Sequence, residues 1–418
     1  MKYWFLPAMC TTLLSAAAFA QLGLPTGGLP RVGVPELPVE LPQTSAALAQ
    51  LGRTLETARL DRITRFVRQN RVAVDYDSNR YLAVRGELVA TGVSDDAINA
   101  AQAAGFALIT RDAIEGLDFN YVRFATPAKM SLARAEEKLR ALLPEAEIDA
   151  NHIFFQASTS LAPPLATTLV SSISANASLG IIDGGVADHP SVRGRVEQNG
   201  FAAGAPAASS HGTSVAALMI GTGDVKGARP RASLLAADVY GTAKAGGNAM
   251  AIVRALGWLT SRGVSVVTIS LVGPNNALLK AAVAATQRKG VIIVAAVGND
   301  GPASPPAYPA SYPGVLAVTG VDGRNRALPE AGRAAHTDFA APGADIFSAT
   351  DATKTARVRG TSFAAPFVAA RLSTLYPRQS NTAVELAVRK LMAEAVDLGK
   401  KGHDPVYGHG LICGTCGQ

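Results

Sequence analysis

"VIIVAAVGN", residues 291–299, places eight apolar or small residues in a row before a single amide. A strand with one wet face alternates apolar and polar side chains. This run does not alternate, so it reads as a strand buried on both faces, the kind found in parallel sheets. Four more runs share its character: "LGIID" ending at Asp183, "SLLAADVYG" ending at Gly241, "VSVVTISL" ending at Leu271 and "VLAVTGVD" ending at Asp322. Helical stretches alternate with them, among them "GTSVAALMIG", "AMAIVRALGWLTSRG" and "ALLKAAVAATQRKG". The pattern predicts an α/β domain over residues 174–418, an open and mostly parallel sheet with helices on both faces. Such sheets gather their functional groups at the carboxyl ends of the strands.

Four polar groups fall at such places. Asp183 closes "LGIID", His211 opens the helix of "SSHGTSVAALMIG", Asn299 closes the opening stretch, and Ser362 lies in "RGTSFAAPFVAA", residues 359–370. In that last stretch Pro366 fits the first turn of a helix, so Ser362 stands near a helix N-terminus with its free N–H groups and favourable dipole. A serine hydroxyl is a poor nucleophile until a histidine takes its proton. The histidine in turn needs a carboxylate to hold its tautomer and steady the imidazolium. An amide side chain and a helix-start N–H are the donors a tetrahedral oxyanion needs. Each residue also has an ordinary reading: a turn Asp before two glycines, a helix-capping His, a "GND" turn, an N-cap Ser. Only their order in strand-end contexts separates the two readings.

Taken together, "LGIIDGGV", "HGTSVAALMIG", "VVTISLVGP", "VIIVAAVGNDG" and "RGTSFAAPFVAA" resemble the signature segments of the subtilisin-like serine proteases, and "YPASYPGVLAVTGVDG", "FAAPG" and "YGHGLI" extend the likeness. The spacing, 28 residues from Asp183 to His211 and 151 from His211 to Ser362, matches a compact member. The resemblance implies endopeptidase activity with Asp183, His211 and Ser362 as a triad and Asn299 in the oxyanion hole. It implies that Ser270, Leu271, Val272 and Gly298 line the substrate cleft and pair with a peptide backbone as a β-ladder. It requires no cofactor; structural calcium is common in relatives, but no ligands can be assigned in this sequence. Three departures stand out. Gly184 replaces a Thr or Ser after the acid, Val272 replaces a Gly in the cleft strand, and Phe363 and Phe367 replace Met and His after the nucleophile. Val272 predicts a narrowed first pocket that favours small or slender apolar residues. The competing reading is a catalytically silent protein that keeps the fold to bind peptides.

Upstream, residues 80–157 follow the order β-α-β-β-α-β of a small ferredoxin-like α+β domain. "RYLAVRGELVATG", "FALITRDAIEG", "FNYVRFATP" and "IDANHIFF" are its strands; "SDDAINAAQAAG" and "SLARAEEKLRALLPEA" are its helices. It resembles the propeptide of the same family, an intramolecular inhibitor and folding partner that is cut away. The polar, proline-bearing segment 158–173 is the expected linker, with self-cleavage between about Gln156 and Ala166. Residues 44–79 form a helical segment, with Leu48, Leu51, Leu55, Leu60, Ile63 and Phe66 near helical spacing. Residues 21–43 repeat Leu/Val-Pro units and form a linker. Residues 1–20 read as a signal peptide, Lys2 followed by an apolar run and Ala18-Phe19-Ala20, with an uncleaved anchor as the alternative. Secretion, periplasmic or extracellular, follows from that reading.

Composition excludes other classes. The hydrophobic fraction of 48% with only 17% charged residues is globular. The net charge of +7 is scattered, with no run of basic residues and no aromatic interleaving, so nucleic acid is not an expected partner. A protein or peptide substrate and the chain's own N-terminal domain are. No later stretch is long and apolar enough for a stable membrane anchor. Near the end, Cys413 and Cys416 fit either a local disulfide or two free thiols, with a zinc site involving His403 and His409 the least favoured reading.

Overall fold

The computed structural model describes residues 45–157 and 178–416. The expected signal peptide, the Pro-rich stretch and the expected linker 158–173 lie outside the described residues.

The described chain opens with helix α1 (Ser45–Asn70) and a short strand β1 (Val74–Tyr76). Then come β2 (Leu82–Thr91), α2 (Asp95–Ala103), β3 (Ala107–Ala113), β4 (Asn120–Ala125), α3 (Leu132–Leu142), β5 (Glu147–His152) and a two-residue strand β6 (Phe155–Gln156). Ser94 and Ser131 start the two short helices by accepting from the N–H of Ala97 and Arg134. β2 lies between β4 and β5, β3 pairs the far side of β4, and every pairing is antiparallel. One face of this sheet buries Leu88, Phe124 and Ile148 against Leu132 and Leu139 of α3.

The second part is built on β7 (Leu179–Asp183), β8 (Val196–Gly200), β9 (Leu234–Asp238), β10 (Val266–Ile269), β12 (Ile292–Ala296), β13 (Leu316–Val321) and β14 (Phe339–Pro342). These seven strands run in the order β14-β13-β12-β10-β7-β9-β8 with all pairings parallel. The chain winds one way from β7 to β9 and β8, and the other way to β10 and beyond. A crevice therefore opens at the carboxyl end of β7. α4 (Ser210–Ile220) and α7 (Thr361–Leu375) cover one face; α5 (Ala249–Ser261) and α6 (Ala277–Arg288) cover the other. A short strand β11 (Leu271–Val272) leaves the end of β10, β15 (Ile346–Ala349) and β16 (Thr355–Val358) form a hairpin, and α8 (Val384–Glu394) closes the chain.

The free face of the N-terminal sheet sits on α5 and α6. Val89, Ile114, Leu117 and Tyr121 share a buried cluster with Leu256, Leu259 and Leu279. Backbones touch here: a Cβ on Gly116 would lie 2.5 Å from the Gly257 carbonyl oxygen. Polar groups complete the seam at the starts of these two helices. Asn151 Oδ1 accepts from Met250 N–H at 3.0 Å and Asp149 Oδ2 from Ala277 N–H at 2.9 Å, so each satisfies a donor that has no partner in its own helix. Burial raises the Asp149 carboxyl above its ordinary range, opposed by the nearby His152 and the Ala277 N–H.

Pro366 departs from expectation. It is the sixth residue of α7 rather than part of its first turn. A proline there cannot donate to the carbonyl four residues back, which is that of Ser362. Ser270 Oγ donates to that carbonyl instead, at 3.1 Å. Leu60 also departs, at 49% exposed, whereas Leu51 and Leu55 are buried. Cys413 and Cys416 form a disulfide. Among the described residues no helix is long and apolar enough to cross a membrane, and no group of three or more His, Cys, Asp or Glu is arranged to hold a metal ion.

Candidate active site

Asp183 ends β7 at the crevice and is fully buried. Both of its carboxylate oxygens lie 2.8 Å from His211 Nδ1, and Gly184 N–H donates to Oδ1 at 2.7 Å. His211 is the second residue of α4, whose start is fixed by Ser209 accepting from Gly212 N–H at 2.9 Å. Phe363 lies against the imidazole with ring centroids 5.3 Å apart. With Nδ1 held by Asp183, the other ring nitrogen is the one left for chemistry. His211 Nε2 is buried and has no hydrogen-bond partner, a state that costs about 1–3 kcal/mol in a protein interior.

Ser362 is the second residue of α7, where the backbone N–H has no acceptor within the helix. Gly360 precedes the helix at φ +137°, a conformation that favours glycine, and a Cβ there would meet Asn299 Nδ2 at 2.6 Å. The loop is clamped from behind by Arg359, which grips the buried Glu330 through two bonds of 2.7 and 3.0 Å. Asn299 Oδ1 accepts from Thr361 N–H at 3.0 Å, which leaves Nδ2 facing the crevice.

One backbone carbonyl lies in the middle of these groups, that of Ala157. It accepts from Asn299 Nδ2, and the Ser362 hydroxyl donates to it as well. The stretch Ile153–Ala157 runs as an inserted strand. β6 pairs antiparallel with β11, Gln156 opposite Leu271 and Phe155 opposite Val272, and Ala157 N–H donates to the Ser270 carbonyl at 2.9 Å. On the other side Ile153 bridges Asn248, and Phe154 N–H donates to the Gly247 carbonyl at 2.8 Å. The Tyr240 hydroxyl donates to the Phe154 carbonyl at 2.8 Å; burial, helped by the charges of Asp183 and Asp238, pushes that phenol far up, so it stays a donor. Helix α1 lies over the same strand. Phe66 packs edge-on against Phe155 at 5.2 Å, Arg62 pairs with Asp300 at 2.5 Å, and Leu55 presses against Gly301, whose added Cβ would meet it at 2.6 Å.

All eight residues singled out in the sequence border this crevice, but not all in the way the pattern implies. Asp183 holds His211, and Asn299 and Ser362 meet at the Ala157 carbonyl; the Ser362 hydroxyl donates to that carbonyl rather than to His211 Nε2. Leu271 and Val272 pair with the inserted strand, and Val272 narrows the space beside Gly298, where a Cβ would be 3.3 Å from its Cγ1. Ser270 meets the strand through its carbonyl, while its hydroxyl serves the orphaned carbonyl of Ser362. Gly184 has a local reason: a Cβ there would lie 2.8 Å from that of Ser209. Gln156 and Ala157 entered the sequence reading only as the edge of the expected cleavage window, and Tyr240 not at all. Burial raises the carboxyl of Asp238, which pairs beside Asp183 in the sheet; it accepts from the N–H groups of Ala207, Tyr240 and Gly241 and so anchors loops.

Fold and chemistry together define a serine endopeptidase. The model of the subtilase (peptidase S8) family matches residues 174–410. Subtilisin DY of Bacillus licheniformis is 32% identical over 248 residues, which cover 57% of this chain and 89% of that protein. Subtilisin Savinase of Lederbergia lenta is 32% identical over 244 residues, 56% of this chain and 87% of that protein. Among solved structures, fervidolysin from Fervidobacterium pennivorans, a keratinolytic enzyme related to subtilisin, shares the fold with a TM-score of 0.64 at 20% identity, over 80% of this chain and 61% of that one. The chain belongs to the subtilase family.

Proposed function

We propose that the chain is a secreted proenzyme that first cuts itself after Ala157 and then hydrolyses other peptides by the same route. The observation that carries this reading is the Ala157 carbonyl, bonded to the Asn299 amide and to the Ser362 hydroxyl at the end of a strand lying in the cleft. In this reading Asp183, His211 and Ser362 are the triad and Asn299 is the oxyanion donor.

Ser362 Oγ attacks the carbonyl carbon of Ala157 while His211 Nε2 takes its proton, and Asp183 steadies the imidazolium. The oxyanion is held by Asn299 Nδ2 and the Ser362 N–H. His211 then gives the proton to the leaving amine of Ser158, the peptide bond breaks, and water hydrolyses the acyl-enzyme by the same proton relay. Ala157 at the cut position fits a pocket narrowed by Val272. The N-terminal sheet, resting on α5 and α6, is the inhibitor and folding partner, and residues 1–20 direct export.

Expression of the full chain beside Ser362→Ala tests the reading. The parent should yield a fragment whose sequence begins at Ser158 and a serine that reacts with a fluorophosphonate. Ser362→Ala should remain joined at 157–158 and unlabelled. Identical mature fragments from both would overturn self-cleavage.

A further inference from the structure

We propose that the protease reads a side-chain amide on the residue preceding the cut position, and that the reader is the triad carboxylate itself. The inference rests on the function proposed above and names the substrate that the site prefers.

Gln156, one residue before Ala157, donates from Nε2 to Asp183 Oδ1 at 3.2 Å. The backbone fixes this approach, because Gln156 sits in register opposite Leu271 while Ala157 N–H is held by Ser270. Asp183 has room for such a donor because the next residue has no side chain. A Cβ on Gly184 would lie 3.5 Å from the Gln156 nitrogen and much closer to Ser209. The protein's own donors to the carboxylate are His211 Nδ1 and Gly184 N–H, and Ser209 turns its hydroxyl to Gly212 N–H and the Gly185 carbonyl. The carboxylate is fully buried with the strand in place. A donor brought by the substrate therefore acts on a charge removed from water, where hydrogen bonds are worth most.

The chemistry ranks the residues at this position. Gln reaches Oδ1 with an N–H. Met and Leu match its bulk and offer no donor. Glu brings like charge to a buried carboxylate and should be the worst. Lys carries a donor with a full positive charge and separates amide reading from simple charge attraction.

The test uses the mature enzyme and short peptides ending in X-Ala before a fluorogenic amide, with X as Gln, Met, Leu, Glu or Lys. The expected kcat/KM for Gln exceeds that for Met and Leu by about tenfold, with Glu lowest. Equal rates for Gln, Met and Leu, or a series led by Lys, would overturn the inference while leaving the endopeptidase intact. If no peptide turns over and the full chain also stays uncut, the failure belongs to the proposed function. The double variant Gly184→Ser with Ser209→Gly gives Asp183 a hydroxyl of its own and clears the space for it. The ratio of Gln to Met should fall toward one in that variant, and an unchanged ratio would count against Asp183 as the reader.

Discussion

In the seven-stranded sheet β12 is buried at every residue, whereas β3 of the N-terminal sheet is exposed at six of its seven. The parallel sheet is sandwiched between helices on both faces, and the segments at its strand ends hold a carboxylate against an imidazole, and an amide and a hydroxyl at one carbonyl. The antiparallel sheet has one face under its own helices, the other on α5 and α6, and an outer strand in water. It contributes no chemistry of its own. What it contributes is position, because the strand that enters the cleft continues from β5. One sheet carries the candidate catalytic groups, and the other leads into the strand that lies among them.

That contrast predicts that damage to the first changes rates and damage to the second changes occupancy. If Asn299 is the oxyanion donor proposed above, Asn299→Ala should lower kcat on a peptide substrate by about 10²–10³, the loss typical for removing one such donor, with little change in KM. Steady-state kinetics on the mature form checks it, and a loss carried by KM alone would erase the distinction. Leu55→Ala with Phe66→Ala loosens the N-terminal part from the cleft without touching any group that handles a proton. Added back in trans, the altered segment should inhibit the mature enzyme with a Ki roughly 100-fold weaker, as expected for losing two apolar side chains at a buried contact. Ala157→Phe forces a large ring into a site that is 2% exposed. Self-cleavage, followed by gel over time, should slow by about tenfold or more, and an unchanged rate would show that Val272 does not narrow the pocket. Ser270→Ala should have the smallest effect, a loss of about 1–3 kcal/mol of stability and a few degrees of Tm as the Ser362 carbonyl loses its donor.

The strands buried on both faces were legible because continuous apolar runs have few other uses, and β7, β9, β10, β12 and β13 all coincide with such runs. β8, with the sequence VEQNG, was not legible: as an edge strand it is only partly buried and keeps polar residues. β14 is four residues long and ends in proline, too short for any period to appear. The second-turn position of Pro366 went unread because its remedy, the Ser270 hydroxyl, comes from 92 residues away. The same limit hid which contacts Gln156 and Ala157 make, although both fall at the edge of the expected cleavage window. Nothing in "FFQAS" marks them locally; their neighbours in the cleft come from β7, β11 and α7.

The Ser270–Ser362 bond joins two parts usually thought of separately. The residue whose carbonyl holds Ala157 N–H is the residue whose hydroxyl pins the first turn of α7 at Ser362. Any shift of that wall therefore carries the start of α7 along with it, so the spacing between the strand's hold and Ser362 is set at a single side chain.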